Sequence, residues 1–133
     1  MSNRLMCVML VDDNIHDNFF HERAIKKNDL KSIVIAKTSG MDALEYIRSG
    51  ESPRSDLIFL DINMPGMNGW EFLKEYKELD EQLKSRAIII MLTTSDNPAD
   101  IDKAKKWDFV ADYITKPLTK ETMQEIIDKY FEP

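Results

Sequence analysis

Four stretches of the 133-residue chain place reactive side chains at or just beyond the ends of apolar runs. Asp12-Asp13 follow Leu5 to Val11, Asp61 follows Asp56 to Leu60, Thr93 follows Ala87 to Leu92, and Lys116 follows Phe109 to Ile114. Singly, an Asp-Asp pair in such a place is most simply a solvated turn or a helix cap, and a lone Thr93 or Lys116 is blander still. Together they are harder to dismiss, because three carboxylates from adjacent strands repel one another by several kcal/mol at intermediate dielectric and so require a cation. A hard divalent ion held by a few carboxylates, a backbone carbonyl and retained waters is the usual magnesium arrangement, often completed by phosphate oxygen. Lys116 would add a second positive charge and Thr93 a hydroxyl donor, a set that suits a phosphoryl group better than a neutral ligand. Phosphoryl transfer needs positioning and charge neutralisation more than covalent machinery, and an aspartate can itself be the acceptor. Asp61 is the best-placed acceptor, since its strand is expected between those ending in Asp12-Asp13 and Thr93.

The elements that must carry these residues follow from hydrophobic patterning. Strand-length apolar runs lie at Leu5 to Val11, Ser32 to Ala36, Asp56 to Leu60, Ala87 to Leu92 and Phe109 to Ile114. The first, third and fourth are apolar nearly throughout, as central strands covered on both faces are. Between the runs, apolar residues recur with helical spacing: Ala43, Leu44 and Ile47; Phe72, Leu73, Tyr76 and Leu79; Met123, Ile126, Ile127, Tyr130 and Phe131. Asn14 to Asn28 is also read as a helix, although Ile15, Phe19, Phe20, Ala24 and Ile25 spread over more than one face. Asn97-Pro98 looks like a helix start and Ser49-Gly50 like a helix stop. Five strand–helix alternations predict an α/β fold, a (βα)5 doubly wound parallel sheet of order 2-1-3-4-5. Its ligands would bind beyond the C-terminal ends of the strands at the switch between strands 1 and 3.

Composition narrows the function classes. Acidic residues outnumber basic ones 24 to 18, a formal charge of −6, which argues against a mainly electrostatic grip on nucleic acid or anionic lipid. The N-terminal apolar stretch is too short for a membrane span and lacks a cleavage site, so an intracellular, cytoplasmic protein without membrane insertion is expected. Cys7, the single cysteine, reads as a small buried hydrophobe. His16 and His21 are five apart, do not share a face as metal ligands spaced by four would, and are expected at the surface. Met6, Met9 and Met91 read as core filler, Trp70 and Trp107 as half-buried, and Asp100 to Lys106 as a solvated helix face.

Four segments in order, at matching strand ends, carry a family resemblance across essentially the whole chain: Val11-Asp12-Asp13-Asn14, Leu60 to Gly69 (LDINMPGMNG), Met91 to Ser95 (MLTTS) and Tyr113 to Leu118 (YITKPL). The chain resembles the receiver domain of two-component response regulators, a flavodoxin-like fold, with the single-domain CheY-like members closest in length. The resemblance implies a phosphorelay signalling protein rather than an enzyme, one receiver over 1–133 with no effector domain. Asp61 would be the phosphoacceptor. Asp13, Asp61 and the backbone carbonyl of Asn63 would bind Mg²⁺ (or Mn²⁺) directly, and Asp12 largely through water. Lys116 and Thr93 would contact the phosphoryl oxygens, Thr93 and Tyr113 would form the switch pair, and Asn63 and Ser95 would tune the phosphoryl lifetime. The Lys116-Pro117 bond is expected to be cis. The implied partners are a sensor histidine kinase or histidine phosphotransfer protein upstream and an unidentified protein downstream.

Two positions depart from the commonest family pattern. Thr94 replaces a frequent alanine and narrows access to the acceptor. Phe109-Val110 stands where many receivers have Gly-Ala, and Phe is a poor residue for a left-handed cap. The turn after the fourth helix, and the signalling face of the fourth helix, fifth strand and fifth helix, are therefore expected to be shaped unusually. Other function classes stay open on the residues alone. A nucleotide or flavin binder on this fold would want a phosphate-cradling loop after strand 1, where this chain has carboxylates. A haloacid-dehalogenase-type hydrolase would want Asp-x-Asp at the first strand. A phosphorylation-independent scaffold on a receiver fold would need none of the chemistry.

Overall fold

The computed structural model describes residues 4–28, 31–51, 53–84 and 87–131. Five parallel strands, β1 (Cys7–Val11), β2 (Ile33–Lys37), β3 (Leu57–Leu60), β4 (Ile88–Thr93) and β5 (Val110–Thr115), form one sheet in the order β2-β1-β3-β4-β5. The helices are α1 (Ile15–Lys26), α2 (Gly40–Ser49), α3 (Gly69–Lys77), the short α4 (Glu81–Lys84), α5 (Pro98–Ala104) and α6 (Lys120–Tyr130). The expected five-fold alternation is thus interrupted by one extra turn, α4, after the Phe72 to Leu79 stripe ends. Among the described residues, no helix is long and apolar enough to cross a membrane.

Alternation along the central strands builds two cores, one on each face. Met9, Val11, Ile58, Leu60, Ile89 and Met91 pack with Ala43 and Leu44 of α2, with Phe72, Leu73 and Tyr76 of α3, and with Ala104 of α5. Val8, Leu10, Leu57, Phe59, Ile90 and Leu92 pack with Ile25 of α1, with Met123, Ile126 and Ile127 of α6, and with Phe131 just after it. Every longer helix opens on a side-chain cap that satisfies an otherwise orphaned N–H: Asn14, Ser39, Asn68, Asn97 and Thr119. At α3 this is a full capping box, in which the Glu71 side chain accepts from the Asn68 N–H. Gly50 closes α2 in the left-handed conformation, φ 69°.

Several expectations are corrected. Met6 precedes β1 rather than lying within it and stands exposed, so it fills no core. His21, expected at the surface, is buried, while His16 is exposed. α1 is a helix as expected, but its buried residues are Asn18, His21, Ala24 and Ile25. Ile15, Phe19 and Phe20 face outward, 67%, 63% and 54% exposed. The inward stripe therefore has regular spacing, with polar residues occupying half of it. Cys7 is buried and Trp70 and Trp107 are half-buried, as read. The turn before β5 needs no left-handed cap: α5 ends on Lys105 in a right-handed conformation, and Phe109 packs on Tyr76 and Trp107 at centroid distances of 5.4 and 5.7 Å.

Candidate functional site

Parallel register brings the reactive residues to one rim. Val11 is level with Leu60, Leu60 with Met91, and Thr93 with Thr115, so the residues that follow these strands share one end of the sheet. Backbone hydrogen bonds carry the ladder past the strand ends: Asp12 N–H donates to the Lys37 carbonyl, Asp61 N–H to Val11 and Lys116 N–H to Thr93, at 3.0, 3.0 and 2.8 Å. Asp12, Asp61 and Thr93 are buried, while Asp13 is exposed at the mouth. One ligand oxygen from each of Asp12, Asp13 and Asp61 lies within 4.8 Å of the others. An all-oxygen, carboxylate donor set of that size fits a hard divalent cation and not a soft one.

Lys116 lies across this group. Its Nζ is 2.6 Å from Asp12 Oδ2, 2.8 Å from Asp17 Oδ2 and 3.5 Å from Asp61 Oδ2. Burial pulls the ammonium toward neutrality, but the Asp12 and Asp17 carboxylates overcome it and hold the lysine pKa above its ordinary value. Burial raises the Asp12 pKa, offset in part by Lys116 and by the Asn14 N–H that donates to its Oδ1 at 2.9 Å, with the Asp61 charge pushing it further up. Among the described residues the site therefore holds one firmly charged cation, Lys116, beside Asp12, Asp13, Asp17 and Asp61, an excess of negative charge at the crevice.

Local backbone chemistry fixes the end of β3 and the carboxylate of Asp61. Asp61 Oδ1 accepts from the Ile62 N–H at 2.8 Å, which orients the carboxylate. The chain then turns through Gly66, φ 79°, and returns so that Gly69 N–H donates to the Ile62 carbonyl at 2.8 Å. A Cβ on Gly69 would lie 2.5 Å from the Asp61 carbonyl oxygen, so only glycine lets α3 begin this close to Asp61. Asn63 is exposed in this loop. The Lys116-Pro117 bond is cis, as expected. Tyr113 is half-buried on β5, and its hydroxyl donates to the Ser95 carbonyl at 2.7 Å, which links β5 to the loop after Thr93. Ser95 N–H lies 3.5 Å from Thr93 Oγ1, and Ser95 Oγ donates to Asp100 at 2.6 Å.

Three residues at this site escaped the sequence reading. Asp17 bonds Lys116 from the first turn of α1. Asn18 donates through Nδ2 to the Asp12 carbonyl at 2.9 Å. Burial lowers the His21 pKa, the nearby Lys116 charge lowers it further, and Asp17 and Asp12 offset this in part. For Asn18 and His21 the signal was positional: residues 18, 21 and 25 carry the i, i+3, i+7 spacing of a buried stripe, filled at two places by polar side chains.

A family model for the response regulator receiver domain matches residues 8–128. Over 134 residues the chain is 33% identical to the chemotaxis protein CheY-3 of Vibrio cholerae, covering 98% of this chain and 95% of that protein. Among solved structures, a two component response regulator from Cytophaga hutchinsonii superposes with a TM-score of 0.86 at 30% identity, covering 96% of this chain and 97% of that one. The phosphorylated cyanobacterial phytochrome response regulator RcpA superposes with a TM-score of 0.78 at 30% identity, covering 95% and 94%.

Proposed function

The chain belongs to the response regulator receiver domain family of two-component signalling, and on that premise we propose that Asp61 is its phosphoacceptor. The observation that carries the reading is the convergence of Asp12, Asp13 and Asp61 within 4.8 Å on a rim that also holds Lys116. Likeness to the phosphorylated RcpA supports it. A Mg²⁺ or Mn²⁺ ion held by Asp12, Asp13, Asp61 and the backbone carbonyl of Asn63 would neutralise charge on the phosphoryl oxygens.

The chain's own residues do the rest. An Asp61 carboxylate oxygen attacks phosphorus in line as the P–N bond to a phosphohistidine breaks. The imidazole leaves with the bonding pair and takes up a proton. Lys116 and the Thr93 hydroxyl donate hydrogen bonds to the transferred oxygens. Engagement of Thr93 pulls on the loop that Tyr113 clasps through Ser95, so the pair biases a two-state surface without a new fold. Water attacking phosphorus later breaks the P–O bond to Asp61 and releases phosphate, at a rate that Asn63 and Ser95 influence. The donor is a sensor histidine kinase or histidine phosphotransfer protein, the output is contact with another protein, and the setting is the cytoplasm.

The test is incubation with a small phosphodonor and Mg²⁺. Wild type takes up label and Asp61→Asn does not; equal uptake by the two would remove Asp61 from its role.

A further inference from the structure

Lys116 is bound by one carboxylate more than the proposed chemistry uses. An ammonium has three N–H donors, and here the two short contacts go to Asp12 and Asp17 at 2.6 and 2.8 Å, while the acceptor oxygen of Asp61 is at 3.5 Å. The first two distances are those of charge-assisted hydrogen bonds and the third is not. Asp12 belongs to the three-carboxylate group and Asp17 does not. Asp17 sits on the first turn of α1, where its backbone N–H is fixed by the Asn14 cap at 3.0 Å and where the helix N-terminus favours a carboxylate. Its side chain is 37% exposed while that of Lys116 is 9% exposed, so the pair bridges the crevice wall and its floor.

We propose that Asp17 is a positioning residue for Lys116, holding the ammonium on the α1 side of the crevice so that a phosphoryl group at Asp61 must draw the lysine away. The proposal rests on the reading of Asp61 as phosphoacceptor and adds a residue that reading leaves idle. Asp17 makes and breaks no bond to phosphorus. Its bond to Lys116 belongs to the resting state and weakens as the lysine turns toward the phosphoryl oxygens. An interaction stronger in the ground state than in the transition state slows the step. Asp17 therefore restrains phosphoryl uptake, and α1 loses a tether when uptake occurs.

The experiment measures the rate of uptake from phosphoramidate with Mg²⁺ for wild type, Asp17→Asn and Asp17→Glu, each with Lys116 intact and with Lys116→Ala. Asp17→Asn is expected to accelerate uptake by roughly threefold to tenfold, the range for removing one charge-assisted hydrogen bond at a half-exposed carboxylate. Asp17→Glu, which keeps the charge, is expected to stay near wild type. In the Lys116→Ala background uptake is slower overall and Asp17→Asn changes nothing, because no ammonium remains to be held. A purely structural role for Asp17 would act with or without Lys116. Equal rates for wild type and Asp17→Asn, or an acceleration that persists without Lys116, would overturn the proposal and leave Asp61 untouched. A wild type that takes up no more than Asp61→Asn would overturn both. A measurement without phosphodonor bears on the same point: the ¹⁵N signal of the Lys116 ammonium shifts in Asp17→Asn, and an unchanged signal counts against the tether.

Discussion

Asp12 shows how a residue can oppose the stability of the fold that carries it. Its pKa is raised by burial, so the carboxylate is protonated more readily in the folded than in the unfolded chain. A raised folded pKa means a contribution that is fully present below the unfolded value of 3.8 and lost as pH rises through the folded value. At neutral pH the burial of the ionised Asp12 opposes folding, and its 2.6 Å bond to Lys116, whose pKa it raises, offsets this in part. Asp12→Asn keeps the shape and leaves Lys116 its bond to Asp17, so without divalent cation it should raise the unfolding midpoint by a few degrees. The same variant should bind Mg²⁺ more weakly. Thermal unfolding in EDTA checks the first effect, and a midpoint at or below wild type would contradict it. His21 titrates with the other sign of shift: its folded pKa is lowered, so its contribution is present above the unfolded value of 6.5 and lost as pH falls toward the folded value. Denaturant midpoints should therefore fall between about pH 7.5 and pH 5.5, and His21→Gln should flatten that fall. Neither residue's environment was legible from sequence, because the groups that act on them are distant in the chain: Lys116 bonds Asp12 and its charge acts on His21. The convergence of Asp12, Asp13, Asp61 and Lys116 on one rim was legible, because each stands at or just after the end of an apolar run that leaves little choice of location.

Elements differ in how far their sequences announce them. β1, β3 and β4 are covered on both faces and read as apolar runs, with ends one or two residues from those seen, because sheet hydrogen bonding begins only where a partner strand is level. α1 was harder, since its outward Ile15, Phe19 and Phe20 and its inward Asn18 and His21 invert the usual rule that the apolar face marks the core. α4 lacks any buried residue and leaves no pattern to read. α3 is the element whose position is most tightly prescribed, since the Gly69 N–H closes on Ile62 and its Cα faces the Asp61 carbonyl. Gly69→Ala should force α3 back from the end of β3 and destabilise the fold by about 1–3 kcal/mol, the usual cost of overpacking. It should also slow uptake at Asp61, because the loop that presents Asn63 moves with the helix. Denaturant unfolding measures the first, and wild-type stability in Gly69→Ala would show that the collision is relieved elsewhere.

Across the whole molecule, charge and architecture point to one consequence. The parallel order β2-β1-β3-β4-β5 sends the strand ends of β1 and β3 into the same crevice, and a chain of net charge −6 concentrates Asp12, Asp13, Asp17 and Asp61 there around a single lysine. Unfolding separates Asp61 and Lys116 from the segment that carries Asp12, Asp13 and Asp17, so a cation site built from both segments exists only in the folded state. Ligand that binds only the folded state stabilises it by RT ln(1 + [L]/Kd), about 2.7 kcal/mol at a hundredfold excess over Kd. For a domain of this length that corresponds to a rise in unfolding midpoint of roughly 10 °C. Mg²⁺ should therefore raise the midpoint saturably and far more than sodium at equal ionic strength, since general screening acts on all surface charges alike. Asp13→Asn removes the carboxylate at the mouth and should suppress most of the rise while leaving the metal-free midpoint close to wild type. Equal responses to Mg²⁺ and to matched sodium, or a full Mg²⁺ response in Asp13→Asn, would mean that the three carboxylates do not act as one cation site.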